Sequence, residues 1–295
     1  MRTLVLRPSA KINLTLRVGP RRDDGFHEIR TLFQSIALHD TLRISGRRGP
    51  FVLAARSLGV PADRTNLVWR AADLLWRALG RPGDARDAHV KLEKVIPAAA
   101  GLGGGSADAA AALVGLDKIW NGRLPRRRVL ALAAELGADV PFFLLGGTAL
   151  GAGRGDEVYP VDDVRQTGVV IVKPSFGVAT AEAYQWLDDD RARNLSDPLE
   201  RAREFETGWP TGGITIRNDL QAPVARRHPG MTEIIEALFR EGAQAAAMTG
   251  SGSAVFGLFS DAVARKAARR LQRPDWLVLV TRTLARREAA RRLAL

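Results

Sequence analysis

The chain has 295 residues, 46% hydrophobic and 26% charged, with no cysteine and with 44 Lys+Arg against 32 Asp+Glu, a formal net charge of +12. Ordinary globular composition excludes intrinsic disorder, and the lack of cysteine excludes a disulfide framework, a thiolate nucleophile and cysteine-ligated zinc or iron–sulfur centres. No apolar run approaches the roughly 18 residues of a membrane span, and the first ten residues lack the apolar centre and cleavage site of a signal peptide, which predicts a soluble, cytoplasmic protein.

Over residues 9–18, Ile12, Leu14 and Leu16 alternate with Lys11, Asn13 and Thr15, the pattern of a half-buried strand. A second alternating stretch runs over 33–44. Thr65 and Asn66 then precede apolar residues at three- and four-residue spacing through Trp76, which predicts a capped helix. Residues 90–96 alternate again, Pro97 opens a glycine cluster, and an alanine-rich helix is expected from Ser106 to about Ile119, stopped by Asn121-Gly122. A helix over 126–136 should close on Gly137 in a left-handed cap. The glycine-studded stretch 146–155 reads as a turn, 168–173 as a β-branched strand, and the Asp/Arg-rich stretch 188–207 as a mobile loop or irregular helix. A helix (231–241), a strand (255–259), a helix (262–271) and a strand (276–280) follow. In the basic tail, Arg286, Arg287, Arg291 and Arg292 read as a solvated helix face. Strands and helices interleave without a regular beat, which predicts an α+β protein of two lobes, 1–164 and 165–295.

The basic excess raises an RNA-binding reading, but the arginines are spread along the chain without interleaved aromatics. Only six of the 44 basic residues are lysine, which makes each lysine worth placing. The strongest candidate site is Pro97-Ala98-Ala99-Ala100-Gly101-Leu102-Gly103-Gly104-Gly105-Ser106-Ala107, between a strand and a helix. Glycines let successive N–H groups converge, and the helix that follows adds its own unpaired donors and the positive end of its dipole, so the segment suits an anion. It is neither a P-loop, since no Gly-Lys pair occurs, nor a dinucleotide fingerprint, since Ser106 stands three after Gly103; the tripeptides of protein kinases are absent too. Lys11 shares a strand face with Asn13 and Thr15, where it could be solvated or could orient a phosphoryl group. Asp139, before Val140-Pro141, reads either as a helix cap or as a general base shielded by apolar neighbours. Thr249-Gly250-Ser251-Gly252-Ser253-Ala254 is a second glycine/serine loop, and two such loops suit a substrate carrying several phosphates.

Ser9-Ala10-Lys11-Ile12-Asn13-Leu14, the 97–107 loop and the 249–254 loop together resemble the three motifs of the GHMP kinases, a superfamily of small-molecule kinases. The resemblance implies a two-lobed α+β fold, with a ribosomal-protein-like N-terminal lobe and a ferredoxin-like C-terminal lobe, and a reaction using ATP and Mg²⁺. Gly25-Phe26-His27-Glu28-Ile29, the following Thr31-Leu32-Phe33-Gln34-Ser35-Ile36 and the Asp139 segment look like the branch that phosphorylates the 2-hydroxyl of 4-CDP-2-C-methyl-D-erythritol in non-mevalonate isoprenoid synthesis. A homoserine- or mevalonate-type kinase is the alternative within the superfamily.

Carried onto this sequence, the resemblance makes Asp139 the catalytic base and Lys11 the catalytic lysine. It assigns residues 97–107 to the ATP phosphates, Asn66 and Lys94 to the adenine side, and Phe26, His27 and Tyr184 to a cytosine clamp. Asn13, Thr249, Gly250, Ser251 and Gly252 fall on the substrate side. Mg²⁺ would ride on the ATP phosphates, with Ser106 the candidate direct ligand. No nucleic-acid or membrane partner is implied, and the chain would be a monomer or weak homodimer. Two departures stand out: Phe26 replaces a frequent tyrosine, and Ala98 to Ala100 replace frequent glycines, which should hold the loop entrance at negative φ.

Overall fold

A computed structural model describes residues 3–55, 60–193 and 215–295. The first half contains β1 (Thr3–Leu6), β2 (Ser9–Arg21), β3 (His27–His39), β4 (Thr41–Pro50), β5 (Val52–Ala55), α1 (Leu67–Ala78), β6 (Arg86–Glu93), α2 (Gly104–Ile119), α3 (Arg126–Leu136), α4 (Val140–Leu145), β7 (Thr148–Ala152) and β8 (Glu157–Pro160). The second contains β9 (Gly168–Pro174), α5 (Thr180–Arg193), β10 (Arg217–Asn218), α6 (Gln221–Arg227), α7 (Gly230–Arg240), β11 (Ala245–Met248), β12 (Val255–Phe259), α8 (Asp261–Arg270), β13 (Trp276–Arg282) and α9 (Arg286–Arg292).

Among the described residues three sheets organise these elements, ordered β1-β4-β6-β5, β10-β2-β3-β7-β8 and β11-β12-β9-β13. The third is antiparallel throughout and has the strand order of a split β-α-β unit, so the second lobe is ferredoxin-like. Two segments of the second half return to the first. β10 pairs in parallel with β2, setting Arg217 opposite Thr15, and Leu293, just past α9, joins the core of the first lobe. A division at residues 164/165 is therefore crossed at both points.

Strand β2 is not half-buried as expected: Ser9 to Val18 are buried on both faces. Ile12 and Leu14, with Leu32 and Ile36 of β3, pack against Val169 and Ile171 of β9 and Phe256 of β12, so the two lobes share a core through this strand. Its polar face is closed by other chain: Asn13 N–H donates to Thr249 Oγ1 at 3.0 Å, and Thr15 Oγ1 donates to the Thr215 carbonyl at 2.5 Å.

Other expectations need correction at their ends. The 33–44 stretch is two strands, cornered at the buried Asp40. Helix α2 starts at Gly104, two residues early, because Gly103 (φ +70°) turns the chain into it. Its alanines and Gly115, where a Cβ would meet Ile44 and Leu6, allow it to be enclosed on all sides without an amphipathic stripe. Gly137 is extended (φ 165°), not left-handed. The supposed turn at 146–155 holds strand β7, whose signal is masked by Gly151, a position where a Cβ would sit 2.6 Å from the Phe33 ring. Residues 188–193 are helical in α5, and the rest of the 188–207 stretch lies outside the described residues.

The tail is not simply a solvated face. Arg287 and Arg291 are exposed, but Arg286 Nη2 donates to the carbonyls of Thr148 and Val161, and Arg292 Nη1 to the carbonyl of Ala37 and to Ser9 Oγ, so these two arginines clasp the tail to the first lobe. No helix among the described residues is long and apolar enough to cross a membrane.

Candidate active site

The three motifs converge because their backbones touch. Lys11 N–H donates to the Leu102 carbonyl at 3.0 Å, stitching β2 to the glycine loop. Gly101 (φ +72°) leaves no room for a side chain: a Cβ would lie 2.0 Å from the Thr249 carbonyl oxygen. Gly103 backs against the Phe143 ring and the Lys11 stem. Part of the glycine richness thus serves loop-to-turn packing, and the remainder leaves the N-terminus of α2 open, with no acidic residue in its first turn. The loop entrance departs from expectation, since Ala99 takes φ +49°, a left-handed conformation that costs an alanine of order 1 kcal/mol.

A cleft of about 590 Å³ lies between the loop and the second lobe. Of the predicted residues, Lys11, Asn13, Asn66, Lys94, Pro97 through Ser106, Asp139, Tyr184, Gly250, Ser251 and Gly252 line it. Ala107, Phe26, His27 and Thr249 do not. Thr249 is fully buried and its hydroxyl is committed to Asn13 Oδ1 and the Gly101 carbonyl, each at 3.3 Å, so it braces the motifs and is not exposed to a ligand.

Lys11 and Asp139 meet at the cleft wall. Lys11 Nζ stands 3.4 Å from Asp139 Oδ2 and donates to Asn13 Oδ1 at 2.7 Å. Asp139 occupies the N-cap position of α4, yet its side chain makes no capping hydrogen bond, so it does not serve as the cap of that helix. Its side chain is 35% exposed, whereas that of Lys11 is 4% exposed, so the carboxylate opens to the cleft and the ammonium is held behind it.

Lys94 behaves differently. Its ammonium is bracketed by Asp40 and by Asp108 Oδ2, the latter at 2.7 Å. Asp40 also accepts from the N–H groups of Val95 and Ile96 at 2.5 and 2.8 Å, anchoring the chain that launches the loop. Burial, joined by Asp40 and opposed by Lys94, pushes the Asp108 carboxyl up to about 8. Lys94 therefore reaches the cleft with its ammonium already paired to Asp40 and Asp108. Asn66 caps α1, with Oδ1 accepting from Val68 N–H at 2.9 Å and Nδ2 donating to the Pro61 carbonyl at 2.7 Å, so its amide is committed as well.

At the other end of the cleft the His27 and Tyr184 rings stack with centroids 5.1 Å apart, and His27 Nε2 lies 2.9 Å from Asp188 Oδ1. Burial, reinforced by the Asp139 carboxylate, raises the Tyr184 phenol above its ordinary value. Phe26 is 57% exposed beneath the Arg154 guanidinium, so it does not face Tyr184 as one half of a closed clamp. Asp40, Asp188, Thr31 and Thr180, whose hydroxyl lies 3.0 Å from Ser251 Oγ, escaped the sequence reading because each acts through a partner distant in sequence.

The fold is that of a small-molecule kinase, as the likeness to known proteins shows. The families GHMP kinases N terminal domain and GHMP kinases C terminal match residues 66–147 and 195–274. Proteins named 4-diphosphocytidyl-2-C-methyl-D-erythritol kinase from Pelotomaculum thermopropionicum and Moorella thermoacetica are 44% and 43% identical; the alignments cover 93% and 96% of this chain and 96% and 100% of theirs. A crystal structure of 4-(cytidine 5'-diphospho)-2C-methyl-D-erythritol kinase superposes with a TM-score of 0.77 at 34% identity, covering 95% of this chain and 99% of that one. A homoserine kinase from Cytophaga hutchinsonii shares the fold at 17% identity, with a TM-score of 0.67 over 97% and 95% of the two chains. The chain belongs to the GHMP kinases, and among them to the family of 4-diphosphocytidyl-2-C-methyl-D-erythritol kinases.

Proposed function

We propose that the protein transfers the γ-phosphoryl group of ATP to the 2-hydroxyl of 4-CDP-2-C-methyl-D-erythritol, giving the 2-phosphate and ADP. The observation that carries this is the Lys11–Asp139 pair, 3.4 Å apart at the wall of a cleft bounded by the glycine loop and the 250–252 turn.

Asp139 accepts the proton of the attacking hydroxyl. Its lack of a capping bond and its opening to the cleft leave the carboxylate available for that transfer. Lys11 holds the same oxygen in line and offsets negative charge as the bond forms, since phosphoryl transfer depends on alignment and charge stabilisation more than on covalent chemistry. The N–H groups at the start of α2 hold the β- and γ-phosphates, while Gly104 keeps the helix start clear of Ile96 and the Lys94 ammonium. Asn66 and Lys94 shape the adenine side while remaining tied to their own partners. Tyr184 offers a ring face to the cytosine, and Gly250 to Gly252 bound the diphosphate.

Mg²⁺ fits the donor chemistry as a partner of the ATP phosphates: the cleft offers the Ser106 hydroxyl, and no three acidic or imidazole side chains converge among the described residues. When bound there it supplies further neutralisation of phosphate charge. Residues 1–164 would supply the ATP loop and the catalytic pair, and 165–295 the substrate side. A monomer or weak homodimer is expected, and water-soluble reactants suit a cytoplasmic setting.

The test is ADP release with ATP and Mg²⁺, presenting 4-CDP-2-C-methyl-D-erythritol beside mevalonate and homoserine. Selective turnover of the CDP-linked alcohol is the expected result, and preference for either of the others overturns the substrate assignment.

A further inference from the structure

The direction of the Lys11 ammonium depends on which way the Asn13 amide faces, and that is decided one residue further from the cleft. The Thr15 carbonyl can only accept. Thr31 Oγ1 donates its single proton to that carbonyl at 2.7 Å, so its oxygen is left only to accept. Asn13 Nδ2 donates to the same oxygen at 2.7 Å. With its NH₂ held there, Asn13 must turn Oδ1 toward Lys11 Nζ at 2.7 Å, and Oδ1 shares the single proton of the Thr249 hydroxyl with the Gly101 carbonyl, each at 3.3 Å. The chain of donors runs in one sense from the lysine to a backbone carbonyl, and the amide orientation follows from it. Thr31 is completely buried on β3 and does not line the cleft.

We propose that Thr31 is a positioning residue for phosphoryl transfer, holding the Lys11 ammonium at the Asp139 carboxylate by fixing the Asn13 amide. The proposal rests on the phosphotransfer reading above. Without the Thr31 hydroxyl the buried NH₂ of Asn13 has no acceptor, the amide is released to rotate, and its N–H groups turn toward an ammonium that is itself only a donor. Lys11 then shifts from its place beside Asp139. A displacement of about 1 Å at a reacting centre is enough for a rate loss on the order of 100-fold.

Thr31→Val removes the hydroxyl at nearly constant shape, and Thr31→Ser keeps it. Thr31→Val is expected to lower kcat about 10- to 100-fold with KM for ATP and for the alcohol within about threefold, while Thr31→Ser stays within about threefold in all three. Because Thr31 acts through Asn13, the double variant Thr31→Val/Asn13→Ala should be no slower than Asn13→Ala alone. Wild-type rates in Thr31→Val, or losses that multiply in the double variant, overturn the proposal. If Thr31→Val fails to fold, Thr31→Ala removes the same hydroxyl without new bulk and must show the same kcat loss. A readout independent of turnover is the exchange of the Asn13 side-chain amide protons by NMR: protection in wild type and Thr31→Ser but not in Thr31→Val is expected, and equal protection in all three overturns the idea. An inactive wild type with normal Asn13 protection would instead count against the substrate assignment.

Discussion

Lys11 and Lys94 flank the same glycine loop, and both are largely removed from solvent, with side chains 4% and 12% exposed. Lys11 faces a neutral amide oxygen at 2.7 Å and a single carboxylate at 3.4 Å that opens to the cleft. Lys94 lies between two acidic side chains, the Asp40 carboxylate and the raised Asp108 carboxyl, that are almost wholly buried. One ammonium keeps capacity to meet a developing charge in the cleft; the other is neutralised before any ligand arrives. Burial is common to both, so the availability of a buried lysine depends on how completely its partners compensate it.

That contrast can be broken most sharply at Asp139. Asp139→Asn should lower kcat by about 10²- to 10⁴-fold with ATP binding retained and the melting temperature little changed, as measured by steady-state kinetics, nucleotide titration and thermal scans. A near wild-type rate would make Asp139 an ordinary helix start and remove the difference between the two lysines. Lys94→Met should do the reverse. It strands the buried Asp40 carboxylate and takes away the donor to Asp108, and is expected to cost about 3–5 kcal/mol of stability in urea denaturation. A variant as stable as wild type that had lost only ATP affinity would identify Lys94 as a nucleotide ligand.

Tyr184→Ala extends the comparison along the open cleft. Loss of one stacking face, about 1–3 kcal/mol, should raise KM for the CDP-linked alcohol roughly tenfold while leaving KM for ATP unchanged; equal effects on both substrates would refute the assignment. The smallest effect is expected at Asp190, a third ion cluster whose partners Arg226 and Arg227 have side chains 54% and 25% exposed. Burial raises the Asp190 carboxyl, but hydrogen bonds from the two arginines outweigh it and hold the group below its ordinary value. A lowered folded value means stability that is present above about pH 4 and is lost as the pH falls through it. Asp190→Asn should therefore cost about 1 kcal/mol at pH 7, with the gap to wild type narrowing as the pH falls below the ordinary aspartate range, as read from urea midpoints. A gap independent of pH would show that the ion cluster is not its source.

Much of this molecule is legible in its residues. The helices over 126–136 and 231–241 and the strands at 168–173 and 255–259 follow local periodicity, and the observed elements agree within a residue or so. Errors fall where a tertiary contact overrides the local pattern. β7 is hidden because Gly151 must pass under Phe33, β2 is enclosed on both faces because the second lobe packs against it, and Arg286 and Arg292 leave solvent because carbonyls of the first lobe need donors. Within the cleft the motif residues come from short runs with distinctive backbone needs. Phe26 and Thr249 sit in such runs but do not line the cleft, since membership of a motif does not specify which way a side chain ends up facing.

Local residue pattern sufficed to mark three glycine- and lysine-bearing motifs, a glycine-led helix start at α2 and Asp139 at the start of α4, because these depend on φ freedom, donor geometry and residues close together in the chain. Which partners surround each buried lysine was settled only by folding. Asp40 reaches Lys94 across 54 residues, and Thr249 reaches Asn13 across 236. Compensation of a buried charge depends on every polar atom within a few ångströms, and folding alone brings those atoms together.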